Sequence, residues 1–179
     1  MACLWKLRNS QLVNKLLLAI TLFFLSFYST ATTLNQSLYI IADSLVTVDG
    51  AKVPYLTFND SPTYSQSNTI INLMQGDTLD LWVYNTDNTT HEFVIKGISS
   101  VVSIPATDSI FMQTVFTTKG SYIYHDPSDF PKNIYLGLAG MIVVKNHNHA
   151  SFYWNIKEHN SDWNTQLSSG NTVNWSQYD

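Results

Sequence analysis

The chain has 179 residues and a formal net charge of −4, with only 12% charged residues. An acidic balance of this kind argues against nucleic acid as a partner, which calls for clustered Lys and Arg. The one cysteine, Cys3, sits near the N-terminus, so the body of the chain has no disulfide, thiolate metal ligand or cysteine nucleophile.

In chain order, Lys6, Arg8 and Lys15 surround the start of an apolar run from Leu16 to Phe27, and small residues come next at Ser29 and Ala31. The run is short for a bilayer-spanning helix, and its flanks have the order of a secretory signal peptide, so residues 1–31 are expected to be removed on export. An uncleaved membrane anchor is the alternative. Loss of the three cations would take the net charge from −4 to −7. The remaining residues suffice for one domain with a hydrophobic core. With no second apolar run, the exported part is expected to be free of membrane, in a periplasmic, extracellular or cell-surface location.

From residue 37 the pattern is that of β-structure. Ser37–Asp43 and Leu45–Val48 are rich in β-formers, and Asp49-Gly50 marks a tight hairpin turn into a return strand over Ala51–Asn59. Pro54 within that strand predicts a sheet edge or a bulge. Thr69–Met74 is a further strand. Thr78–Asn85 alternates, with Leu79, Leu81 and Val83 facing one way and Asp80, Trp82 and Tyr84 the other. His91–Lys96, Ile110–Phe116, Ser121–His125 and Ala139–Lys145 complete the set. No amphipathic helix of useful length is expected. Short strands at this spacing predict a β-sandwich or barrel over 32–150. Ser151–Lys157 reads as one more strand. Residues 158–179 are polar, so 151–179 is expected to be a connector or the start of a following domain.

Three segments stand in an informative order. The first is Gly76-Asp77-Thr78-Leu79-Asp80-Leu81-Trp82-Val83-Tyr84-Asn85, with Thr90-His91-Glu92-Phe93 shortly after it. The second is Gly120-Ser121-Tyr122-Ile123-Tyr124-His125-Asp126-Pro127. The third is Gly137-Leu138-Ala139-Gly140-Met141-Ile142-Val143-Val144. Over roughly residues 38–146 the chain resembles the cupredoxin superfamily, and within it the first domain of multicopper oxidases and the copper nitrite reductases. The resemblance implies an all-β, cupredoxin-like Greek-key β-sandwich behind the signal peptide, with copper as the cofactor. It also makes the tail similar to the connector into a second oxidase domain.

In that family two His-x-His pairs in the first domain help to form a copper cluster. The resemblance places His91-Glu92-Phe93 and His125-Asp126-Pro127 at those pairs, so only the first histidine of each is present. Matched to the nitrite reductases instead, Asp126 falls where the blue-copper cysteine would be, and Leu138 where its axial methionine would be. A blue centre needs the copper–thiolate bond and is excluded. His91 and His125 are therefore expected to be half of a copper site completed by further cupredoxin domains or identical subunits. The chain would then be part of an oxidoreductase and not active alone. His147 and His149 are weaker metal candidates in a polar exit loop, and His159 is expected to face solvent. Met74, Met112 and Met141 read as core. Asp77 and Asp80 read as solvated, and Asp126 and Asp129 as turn residues. Two other functions fit the sequence: a metal-free binding or structural module, and a small copper carrier.

Overall fold

The computed structural model describes residues 15, 31–48, 50–146, 153, 156 and 159–177. The chain divides between Ala31 and Thr32, and the elements named below belong to the second part. Nine strands are described: β1 (Thr33–Val46), β2 (Lys52–Asn59), β3 (Ile70–Met74), β4 (Thr78–Asn85), β5 (His91–Ile95), β6 (Val102–Ile104), β7 (Ser109–Val115), β8 (Gly120–His125) and β9 (Ala139–Lys145). Two short helices accompany them, α1 (Lys132–Tyr135) and α2 (Ser161–Ser168).

The strands form a four-stranded sheet in the order β2-β1-β4-β7 and a five-stranded sheet in the order β3-β9-β8-β5-β6. Most neighbours are antiparallel. β1 pairs β4 in parallel, and β3 pairs β9 in parallel, so the chain crosses between sheets. β2 lies at an edge, where Pro54 costs no ladder hydrogen bond.

Alternation along the strands builds the core. Leu38, Ile40, Leu79, Leu81 and Val83 come from the first sheet, and Phe93, Ile95, Tyr124, Ile142 and Val144 from the second. Three rings meet at its centre, with centroids 5.7 Å apart for Phe58–Phe93, 5.3 Å for Phe58–Tyr124 and 5.7 Å for Phe93–Tyr124. Gly140 makes room for the last of these, since a Cβ there would lie 2.2 Å from the Tyr124 ring. The outward set of β4 behaves as its pattern predicts, with Trp82 43% exposed.

The tail departs from expectation. Residues 161–168 form α2, capped by Asn160, whose side-chain oxygen accepts from the backbone N–H groups of Asp162 and Trp163. Leu167 and Val173 are buried with Leu136, against Tyr135, Trp163 and Trp175. His159 does not simply face solvent, because its ring meets Tyr55 and Tyr135 edge-on. The strand expected over 151–157 lies almost wholly outside the described residues.

Candidate functional site

The site grows from the ends of β4, β5 and β8. Asn85 closes β4 and shapes the loop after it. Its Nδ2 lies 2.7 Å from the Thr89 carbonyl and 3.0 Å from those of Ile104 and Pro105. Its Oδ1 accepts from the Asp87 N–H at 3.0 Å. This folds the 85–90 loop back, so that the Asp87 carboxylate returns onto the first residue of β5, His91.

His91 is 3% exposed. Its Nδ1 lies 2.7 Å from Asp126 Oδ2 and its Nε2 lies 3.0 Å from Asp87 Oδ2. Each ring nitrogen faces a carboxylate oxygen, so both must donate, and only the imidazolium does that. Burial by itself would lower the His91 pKa. The hydrogen bonds to Asp126 and Asp87, with their charges, outweigh burial and raise it. Asp87 moves the other way: burial would raise its pKa, but hydrogen bonds from His91, the Asn88 N–H and Thr89 bring it below the usual carboxylate value.

Asp126 is the hub of the arrangement. It is wholly buried and accepts from His91, from the backbone N–H of Glu92 at 3.2 Å and of Ser128 at 2.8 Å, from the Ser128 hydroxyl at 2.6 Å and from Asn133 Nδ2 at 2.9 Å. Every contact is a donor, which suits an ionised carboxylate. The expectation that turn chemistry explains Asp126 captured only its bonds to Ser128. Asp77 also differs from expectation. It is 6% exposed and accepts from Thr32 N and Oγ1 and from Met74 N.

His125 ends β8, half-buried. Its cross-strand partners are Val94 and Ala139. Paired residues share a face, and Val94 lies three positions from His91, so the two histidines point to opposite faces of the sheet. They stand about 10 Å apart along the strand direction. The structure therefore does not bring His91 and His125 together. Nδ1 of His125 is buried with no hydrogen-bond partner among the described residues. Burial, then the Lys96 charge, lower its pKa against the opposing charge of Asp126, so the ring is neutral at pH 7. His147 and His149 lie outside the described residues.

Copper needs a neutral imidazole with a free lone pair. His91 does not fit that need, because both nitrogens are committed to carboxylates. His125 fits it in charge, with a neutral ring, but its Nδ1 is buried, so a metal could reach that atom only if its cover moved. Among the described residues no group of three or more His, Cys, Asp or Glu side chains is placed to hold a metal ion.

Sequence reasoning missed Asp87 and Asn133 and took Asp126 for a turn residue. The signal for Asp126 was present as an acid in the place of a family ligand, but its five donors come from three separate stretches of chain.

No family model matches the chain, and no curated protein matches it by sequence. Solved structures do. The fold is similar to a copper nitrite reductase from Nitrosomonas europaea, at TM-score 0.59 and 16% identity over 77% of this chain and 53% of that one. It is similar to a multicopper oxidase from Pseudomonas thermotolerans, at TM-score 0.57 and 16% identity over 69% of this chain and 32% of that one. A multicopper oxidase from Campylobacter jejuni matches at TM-score 0.55 and 20% identity over 66% and 27%. The chain thus spans about half of the reductase and between a quarter and a third of the oxidases. The fold class is an all-β, cupredoxin-like sandwich, as the sequence motifs implied.

Proposed function

We propose that this chain is a cupredoxin-like domain of an exported protein built as the multicopper oxidases are. It holds no copper alone and offers one donor, His125, to a copper shared with a neighbouring cupredoxin domain or an identical subunit. The observation that carries this reading is the His125 ring, neutral, half-buried at the end of β8 and outside the His91 network. The similarity to between a quarter and a third of each oxidase supports a role as one part of a larger assembly. His91 has a different task from the one the motif implies: it joins two loops.

The test is the copper content of the native exported protein, measured per polypeptide. His125→Ala is expected to lower it several-fold, while His91→Gln leaves it unchanged in whatever fraction remains folded. Unchanged copper in His125→Ala would defeat the proposal. The carboxylates on both nitrogens of His91 favour a second reading, a metal-free binding or structural module. A wild-type protein that carries no copper in its native state would establish that reading instead. The carrier reading loses His91 as a ligand and has the least support.

A further inference from the structure

Beside His91 lies a cleft of about 330 Å³, between the Asp43 stretch of β1, the Pro54–Leu56 stretch of β2, the 87–90 loop and α1. That volume is at the lower end of small-molecule sites. Its apolar side is formed by Pro54, Leu56 and Leu136, and its polar rim carries Asp43, Asp87 and Lys132.

The charges of this cleft do not cancel. Lys132 Nζ lies 3.7 Å from Asp129 Oδ2 and answers that carboxylate. His91 carries one positive charge between two carboxylates, Asp126 and Asp87, so one negative charge is left over. Asp126 is wholly buried, whereas the Asp87 side chain is 18% exposed, so the residual charge meets solvent at Asp87. Asp43 is exposed on the same rim and its hydrogen bonds come from Ser44 N and Oγ. Among the described residues, the cleft therefore joins a hydrocarbon wall to the residual negative charge at Asp87 and to the Asp43 carboxylate, which no described cation pairs.

We infer that this cleft binds a small organic cation, its ammonium group set between Asp87 and Asp43 and its hydrocarbon body against Pro54, Leu56 and Leu136. A bare metal ion suits it poorly, because the hydrocarbon wall would be wasted on it and no three ligand-type side chains among the described residues converge. An anion would meet the residual negative charge. Recognition is independent of copper, so it stands or falls apart from the His125 reading.

The test is an NMR titration of the native exported protein at low ionic strength, with benzylammonium as the probe and benzyl alcohol and benzoate as controls of equal size. Benzylammonium is expected to shift resonances of the 87–90 loop and of Asp43 saturably, while the controls do not. Asp43→Asn, an exposed change outside the His91 network, is expected to weaken binding about two- to fivefold, as for a partly exposed ion pair. Added salt is expected to weaken it further. Shifts that do not saturate, equal shifts with benzyl alcohol, or an Asp43→Asn variant that binds as the parent does would each overturn the inference.

Discussion

A histidine between two carboxylates has a pH dependence with two limbs. The folded-state pKa of His91 is raised above its ordinary 6.5. Its contribution is complete below that value and is lost as pH rises through the folded-state pKa. Asp87 is lowered from its ordinary 3.8. Its contribution is present above that value and is lost as pH falls through the folded-state pKa. The two contributions overlap between those two ordinary values, on the acid side of neutrality. Urea midpoints measured across the acid to mildly alkaline range are expected to show a maximum there. His91→Gln should flatten the profile and destabilise the fold by about 3–5 kcal/mol, because it leaves Asp126 buried without its counter-charge. A profile identical to the parent's would mean the imidazolium is not formed. The role of His91 was not legible in the sequence. A histidine after a Thr-rich turn looks the same whether its nitrogens are free or held, and Asp126 is 35 residues away.

Strands read more easily than helices in this chain. In β4 the period of two is unbroken, so Leu79, Leu81 and Val83 had to share one face and Trp82 the other. In β2 one residue, Pro54, narrowed the strand to an edge or a bulge, and the pairing decided for the edge. By contrast α2 has eight residues with only Trp163 and Leu167 as apolar members, and two positions do not define a helical stripe. Its helix forms because Asn160 caps it and because Tyr135, Trp163 and Trp175 pack together, with centroids 6.1 Å apart for Tyr135–Trp163 and 5.6 Å for Trp163–Trp175. Asn164 ties it to β2, its Nδ2 donating to the Pro54 carbonyl at 3.0 Å. Leu167→Ala is expected to cost about 2–4 kcal/mol in a chemical denaturation experiment, and Asn160→Ala about 1 kcal/mol. Losses near zero for both would mean that α2 does not dock on the sandwich in solution.

At the scale of the whole molecule, the two sheets close on an apolar core, and the loops at the His91 end are tied together by Asp87, His91, Asp126 and Asn133. Removal of any bound copper by a strong chelator is expected to leave the melting temperature of this chain within about 2 °C, since a single donor, His125, ties the metal to this domain and a ligand stabilises a fold only by its binding to that fold. A fall several times larger would show that a metal completes the fold and would remove the case for the ion-pair closure.

The sequence by itself determined the inward sets of the strands and the lack of a cysteine for a blue-copper centre over residues 32–179, because each is a consequence of period-two patterning or of residue identity alone; patterning left sandwich and barrel open, and the sandwich followed from the family resemblance. The spacing of glycines in the closing segment was readable too, although the reason for Gly140 came only with the Tyr124 ring beside it. The tertiary structure decided the fate of the two histidines. Whether a ring nitrogen is a ligand or a donor depends on the atoms within about 3 Å of it, and at His91 those neighbours come from a loop four residues back and another beyond β8. The faces of His91 and His125 were likewise fixed by the pairing of β5 with β8, a register that no local pattern in either strand encodes.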